Sequence, residues 1–473
     1  MKVLFVTSEA APFAVSGGLG DVSSALPKAL NASGIDTRVV MPLYSDIKSE
    51  YRLKMKYICN FNVPLSWRNQ YCGIFKLVHE GVTFYFIDNE YYFKRSGLYG
   101  YYDDAERFAF YSKAVLEMLQ HIDFTPDIIH SNDWESALVN VYINAFYRQN
   151  PKYSGIKTLF TIHNIQYQGK YGMELLDDVL GMPKSMSGVM EYQGCANFMK
   201  AAIVSSDKVT TVSPTYAREI TDSWYAYGLD PIIRSCQYKT CGILNGIDTE
   251  LYNPETDKSL AANFSASNLS GKKKCREEVI ERFGLEKNAG PVISLVTRMV
   301  AQKGLDLVKY ILDYMMTCGL YVVMLGSGDY SYEETFKYFA GKYPGRFGLE
   351  LAFDPVLARK IYAGSDMFLM PSKFEPCGLS QMIAMRYGTV PIVRETGGLK
   401  DTITDSGDGK GNGFTFKSYN AHDMLGACLR AKAVYEDPKR WEVLMKRDMA
   451  YDSSWKRAAV SYTGLYNEML NLW

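Results

Sequence analysis

The sequence predicts an α/β protein of two doubly wound domains facing each other across a cleft. Short, β-branched apolar runs recur along the chain, separated by stretches long enough to hold helices. That is the pattern of parallel strands covered on both faces. The chain has 473 residues, beyond the size at which one core tends to divide. Ten such runs are too many for one comfortable open sheet, although periodicity alone leaves a barrel open.

In the first half the runs are residues 3–6, 37–41, 82–87, 127–130, 158–162 and 208–212; in the second they are 292–297, 321–325, 367–370 and 390–393. The domains are expected at 1–240 and 241–455, with a terminal helix over 456–473. Ala458, Ala459, Tyr462, Leu465, Tyr466, Met469 and Leu470 recur there at helical spacing, which predicts one firmly packed face.

Hydrophobic residues at 47% and charged ones at 22% are close to globular averages, so disorder is not expected. Lys plus Arg and Asp plus Glu both total 52, which gives no bulk reason to expect nucleic acid or an acidic membrane as partner. Affinity for anions must come from cations placed locally. The apolar run 1–6 is too short for a secretion signal, and Glu9 follows it closely. No run approaches a membrane span, so a soluble protein is expected. Nine dispersed cysteines point to reduced thiols in a cytoplasm. Cys236 and Cys241 lack an accompanying His, and the five histidines are isolated, so neither a metal site nor a cofactor is expected.

In open parallel sheets, ligands collect beyond the carboxyl ends of strands, so polar residues just after an apolar run take precedence. Ser16-Gly17-Gly18-Leu19-Gly20-Asp21 follows the first strand and precedes a helix expected over 22–32, with Pro27 kinking it. Glycines admit close backbone approach and helix-start amides favour anions, but the loop serves equally as a tight turn. It is neither a Walker loop nor a dinucleotide fingerprint, because Ser23 stands at the third glycine position. That disfavours a nicotinamide dehydrogenase.

Asp133-Trp134 follows the run at 127–130, and His163-Asn164 follows 158–162. Each alone could merely cap its loop; together they make an edge suited to binding hydroxyls. After 292–297 come Arg298 and Lys303, a fork and a point charge that can converge on a diphosphate. After 367–370 come Glu375, Cys377, Gly378, Leu379 and Ser380, and after 390–393 come Gly397 and Gly398. Hydroxyl-binding groups in the first domain and cations with glycine amides in the second suit a sugar joined to a nucleoside diphosphate.

Taken in order, these stretches resemble bacterial glycogen synthases and plant starch synthases along nearly the whole chain. The matching segments are 16–22, 129–134, 160–169, 212–220, 244–248, 298–306, 371–381 and 396–402, with Ser454-Trp455, Tyr462 and Tyr466 near the end. The resemblance implies a glycosyltransferase-B fold of two Rossmann-like domains, the last helix crossing back to the first. It implies transfer of glucose from ADP-glucose, with UDP-glucose the alternative donor, to the non-reducing 4-hydroxyl of an α-1,4-glucan such as glycogen, with retention. By motif, Arg298 and Lys303 hold the diphosphate, and Glu375 with the Cys377–Leu379 backbone binds the glucose hydroxyls. His163 sits by the reacting carbon and the 6-hydroxyl, Asp133 and Asn164 orient donor or acceptor, Asn245 lines the cleft and Tyr99 lies near the nucleotide. The glycine loop, with Ser16, Gly17, Gly18, Leu19 and Asp21, forms one wall.

Two positions depart from the family pattern. Val15 replaces the lysine common before the glycine loop, and Phe353 stands where a tyrosine is common; both bear on the donor more than on the reaction. Sucrose synthase-like and trehalose-forming relatives carry a second glutamate eight residues after the first, where this chain has Ile383. A non-catalytic glucan-binding protein would keep aromatics but need not keep Arg298, Lys303 and Glu375. The aromatics Tyr91, Tyr92, Phe93, Tyr99, Tyr101 and Tyr102 crowd one region and serve either as a glucan platform or as packing.

Overall fold

The computed structural model describes residues 1–472 and divides into two compact units, Met1–Asn245 with the chain from Trp455 onward, and Gly246–Ser454. In the first unit the strands are β1 (Lys2–Val6), β2 (Asp36–Pro42), β3 (Lys56–Leu65), β4 (Arg68–His79), β5 (Val82–Asp88), β6 (Ile128–Asn132), β7 (Lys157–Ile162), β8 (Lys170–Tyr171), β9 (Glu191–Tyr192), β10 (Cys195–Asn197), β11 (Lys208–Thr211) and β12 (Thr240–Gly242). Nine of them form one sheet in the order β12-β11-β7-β6-β1-β2-β5-β4-β3. From β12 to β5 all pairs are parallel, whereas β4 and β3 add on antiparallel. β8, β9 and β10 make a separate small sheet.

Every apolar run read from the sequence overlaps a strand, with Asp127, Val212 and Thr297 falling just outside. The central strands are buried along nearly their whole length, as in β6, because helices cover both faces of a parallel sheet. β3 is different: its residues alternate between exposed and covered. The β3–β4 hairpin escapes a search for continuous apolar runs because one of its faces is wet.

The first helix spans Gly18–Ala32 and runs through a buried Pro27, so it opens within the glycine loop and not after it. The last helix, Trp455–Leu470, buries Trp455, Ala458, Ala459, Tyr462, Leu465, Tyr466 and Met469 and packs beside Gly18–Ala32. Its Tyr466 hydroxyl stands 2.8 Å from Nδ1 of His130 in β6, whose Nε2 is 2.6 Å from the Thr161 hydroxyl in β7. This buried chain of polar atoms fastens the helix to the middle of the sheet.

The second unit carries β13 (Val292–Val296), β14 (Tyr321–Leu325), β15 (Phe347–Glu350), β16 (Met367–Met370), β17 (Val390–Arg394) and β18 (Phe414–Phe416). They form one parallel sheet, β15-β14-β13-β16-β17-β18. Among its parallel strands each sheet therefore changes its side of growth once, between β1 and β6 in the first unit and between β13 and β16 in the second. Such switch points leave a crevice at the carboxyl ends of the strands.

Candidate functional site

At the first switch point, β1 ends into Thr7, Ser8 and Glu9, and β6 ends into Asp133. Glu9 is buried, with 4% of its surface exposed. Its carboxylate accepts the backbone amide and the hydroxyl of Ser16, the latter at 3.0 Å, and the amide of Gly17 at 3.3 Å. Two loop amides expected to face a ligand thus hold an internal carboxylate. Burial raises the Glu9 carboxyl, and the Ser16 donors act against that. Gly18 and Asp21 are exposed at the helix start, while Leu19 is buried. Val15 is half exposed. Tyr99 places its hydroxyl 2.8 Å from that of Ser8 and donates to Glu9 at 3.3 Å.

Asp133 has φ 56° and ψ 179°, a region that non-glycine residues enter only when the surroundings impose it, at a cost of about 1–3 kcal/mol. Its Oδ1 accepts the amides of His163 at 2.7 Å and Asn164 at 3.4 Å, joining the ends of β6 and β7. Burial nevertheless pushes its carboxyl up to about 7. Glu135, on the same turn, is 7% exposed. Its Oε2 meets no protein partner, and burial, then the nearby Asp133, holds its carboxyl well above the usual range. Trp134 is buried against Phe108, Tyr171 and Phe198.

His163 is pushed by burial down to about 3, so its ring is neutral at pH 7. Nε2 lies 2.9 Å from Oδ1 of Asn132. The Asn132 amide nitrogen donates to the carbonyls of Val6 and His130 at 3.0 and 3.2 Å, which orients its oxygen toward the ring. Nε2 therefore carries the proton and Nδ1 keeps a lone pair for a hydroxyl donor. Asn164 accepts the Gln166 amide at 3.0 Å. Asn245 is buried and its side-chain oxygen has no protein partner.

At the second switch point, Arg298 is exposed just beyond β13. Lys303 stands 2.7 Å from Oε2 of Glu375, which also accepts the Ser372 hydroxyl at 2.9 Å. Glu375 is 7% exposed; it follows β16 on a loop held from below by Arg394, which donates to the carbonyl of Lys373 at 2.7 Å. The Gly398 amide donates to the carbonyls of Glu375 and Pro376, both at 3.2 Å. Gly397 has φ +45°, and a Cβ there would lie 1.9 Å from the Glu375 carbonyl oxygen, so only glycine lets this turn seat against the loop. Cys377 is buried, with Gly378, Leu379 and Ser380 half-buried behind it, and Gln381 donates to the carbonyls of Cys377 and Gly378 at 3.2 and 2.9 Å. Phe353 is 90% exposed.

The structure thus gathers Asp133, Trp134, His163 and Asn164 with the glycine loop and Tyr99 in the first unit. It gathers Lys303, Glu375, Cys377, Gly397 and Gly398 in the second. Sequence reasoning passed over Glu9, Asn132, Glu135, Ser372 and Arg394. Glu9 stood just after the first strand, where the strand-end rule reaches it. The others act through contacts that spacing does not show. Of the aromatic group, Tyr92 and Phe93 are fully buried, whereas Tyr91 and Tyr102 are exposed. None of the nine cysteines forms a disulfide. Among the described residues, no group of His, Cys, Asp and Glu gathers as a metal site, and no helix is long and apolar enough to cross a membrane.

Two doubly wound units, one with buried polar groups at its switch point and the other with a lysine–carboxylate pair, make up a nucleotide-sugar glucosyltransferase of the glycosyltransferase-B fold. Residues 2–235 match the family described as starch synthase catalytic domain, and 277–443 that described as glycosyl transferases group 1. The glycogen synthase of Geobacillus thermodenitrificans (strain NG80-2) is 50% identical over 99% of this chain and 98% of its own. That of Clostridium novyi (strain NT) is 48% identical over 100% of both. The catalytic domain of starch synthase IV from Arabidopsis thaliana, solved bound to ADP and acarbose, superposes with a TM-score of 0.92 at 33% identity over 99% of each chain. Sucrose-phosphate synthase from Thermosynechococcus elongatus, at 16% identity and TM-score 0.63 over 99% of each chain, shares the fold. The chain belongs to the glycogen synthase and starch synthase family.

Proposed function

We propose that the protein transfers glucose from ADP-glucose to the non-reducing 4-hydroxyl of an α-1,4-glucan such as glycogen, with retention, in the cytoplasm. The observation that carries this reading is the Lys303–Glu375 pair at the second switch point, 2.7 Å apart and largely shielded from water. A lysine can turn to a phosphate oxygen, and the carboxylate it leaves can accept sugar hydroxyls. The starch synthase IV neighbour's bound ADP and acarbose support the same donor and acceptor classes.

In this reading Arg298 and Lys303 offset charge on the departing diphosphate. Glu375 and the Cys377–Leu379 backbone hold the glucose, with Ser380, Gly397 and Gly398 beside them. Neutral His163 accepts the 6-hydroxyl at Nδ1. Asp133, Asn164, Trp134 and Asn245 orient donor and acceptor, and the glycine loop with Tyr99 forms one wall of the site. The leaving phosphate takes the acceptor proton on the same face of the sugar, so no carboxylate nucleophile is needed, in contrast to retaining glycosidases.

The test is nucleotide release from ADP-glucose and from UDP-glucose, with and without glycogen. Glycogen-dependent release greater with ADP-glucose supports the proposal, and release greater with UDP-glucose overturns the donor assignment. No glycogen-dependent release from either overturns the enzyme reading in favour of glucan binding alone.

A further inference from the structure

Lys303 is bracketed by neighbours that reach the loop carrying Glu375. Before it, the Gln302 carbonyl accepts the Lys373 amide at 2.8 Å, and the Gln302 side chain donates to the Phe374 carbonyl at 3.3 Å. After it comes Gly304, with φ +70°, where a Cβ would lie 2.0 Å from the Pro371 carbonyl oxygen. The chain passes directly over that loop, and only glycine fits. The helix Leu305–Thr317 then begins, with Asp306 exposed in its first turn.

Asp306 is the far end of a second connection. Its Oδ1 accepts the hydroxyl of half-buried Tyr419 at 2.5 Å. Burial, then Asp306, raises that phenol, so it remains the donor at neutral pH. The Tyr419 ring centre lies 5.6 Å from the guanidinium carbon of Arg394, within reach of a cation–ring attraction. Arg394, only 8% exposed, donates from Nη1 to the carbonyls of Lys373 at 2.7 Å and Ser372 at 3.4 Å. The Ser372 hydroxyl and the Lys303 ammonium both reach Oε2 of Glu375. The contacts close into a ring that runs through Glu375, Ser372, Arg394, Tyr419 and Asp306 and returns along the chain to Lys303.

A buried guanidinium must be met by acceptors. Those of Arg394 include main-chain carbonyls of the loop whose placement aims the Glu375 carboxylate. Its planar face packs on a ring, a fit that an ammonium does not reproduce. We propose that Arg394 and Tyr419 are positioning residues for glucose transfer, holding the Glu375 loop at a fixed distance from the helix start that follows Lys303. The proposal rests on the roles given above to Lys303 and Glu375. In that reaction their contact opens as the lysine turns to a phosphate, so the pair cannot keep its own two loops in register. The Arg394–Tyr419–Asp306 connection touches neither partner's charged end and stays closed.

The Tyr419→Phe variant tests this, because it removes one hydroxyl and leaves the ring against Arg394. Glycogen-dependent nucleotide release should lose about fivefold in kcat/KM for the nucleotide sugar, with KM for glycogen unchanged. Asp306→Ala should reproduce that loss. Asp306→Asn, whose side-chain oxygen still accepts the hydroxyl, should restore release to within about twofold of the unaltered protein. In a Lys303→Ala background Tyr419→Phe should cost less than about twofold, because the ring of contacts is already broken at the pair. A merely structural role gives equal losses in both backgrounds, and that result overturns the proposal. So does a Tyr419→Phe protein as active as the unaltered one. Acylation of Lys303 by an amine-reactive ester, read by mass spectrometry, needs no turnover. Its rate should rise about fivefold in Tyr419→Phe, and an unchanged rate overturns the proposal. Absence of nucleotide release from the unaltered protein would instead sink the synthase reading, and the acylation rate would still decide whether Tyr419 positions Lys303.

Discussion

The ammonium of Lys303 and the carboxylate of Glu375 lie 2.7 Å apart, with Glu375 only 7% exposed. The pair joins the loop after β13 to the loop after β16, the two strands that flank the switch point. Each partner answers the other's charge. A donor with a diphosphate and sugar hydroxyls offers both a replacement.

Lys303→Ala is expected to lower glucose transfer at saturating donor by at least ~100-fold, with the circular dichroism spectrum unchanged. It also leaves Glu375 as a buried charge without its cation, a loss that costs about 3–5 kcal/mol in comparable pairs. Adding Glu375→Gln should restore stability without restoring turnover. Near-normal transfer by Lys303→Ala would remove this residue from the diphosphate site.

Asp133 gives a pH dependence whose sign can be stated. Its carboxyl is raised to about 7, so between the ordinary aspartate range and neutrality the folded chain keeps a proton that the unfolded chain releases. The contribution is present at low pH and is lost as pH rises through about 7. Asp133→Asn keeps the oxygen that accepts the His163 amide but cannot ionise. Relative to the unaltered protein, its thermal stability should improve from pH 5 to pH 8, by an amount on the order of a few kcal/mol, while transfer falls. A difference constant across that range would contradict the assignment.

The link between His130 and Tyr466 predicts the strength of the terminal helix. Burial holds His130 well below its usual range, so the ring is neutral and Tyr466→Phe deprives one of its nitrogens of a partner. Destabilisation of about 1–3 kcal/mol is expected. Unfolding followed by Trp455 fluorescence should show it, and the loss should shrink in a His130→Leu background. Equal losses in both backgrounds would sever the link.

Val15 is 50% exposed beside the glycine loop, so a lysine stem can take its place with the charged end in water. Val15→Lys should tighten nucleotide-sugar binding or leave it unchanged. Substantially weaker donor binding by titration calorimetry, with the fold intact, would show that the loop does not face the diphosphate.

The strands of both units were legible because a strand buried on both faces tends to read as a continuous apolar run, as Val3–Val6 of β1 and the whole of β14 do. The hairpin of β3 and β4 was not, because a half-wet strand alternates, and the two-residue strand β8 carries too little pattern to read. At the candidate site, the strand-end rule pointed to Asp133, His163, Lys303 and Glu375. It could not show that the Ser16 and Gly17 amides bind Glu9, nor that Asn132 sets the His163 tautomer. Those facts depend on which buried group meets which donor, and local spacing carries no record of that.

The second unit is inserted between Asn245 and Trp455 of the first, and this orders events during synthesis. A ribosome adding about 5–20 residues each second needs roughly 10–40 s to cover that insertion. Throughout that interval the sheet holding His130 has been made, yet the helix bearing Tyr466 does not exist. The nascent first unit must therefore wait with the apolar surface meant for Trp455, Tyr462 and Tyr466 uncovered, and the closing segment arrives only after the inserted unit has been made.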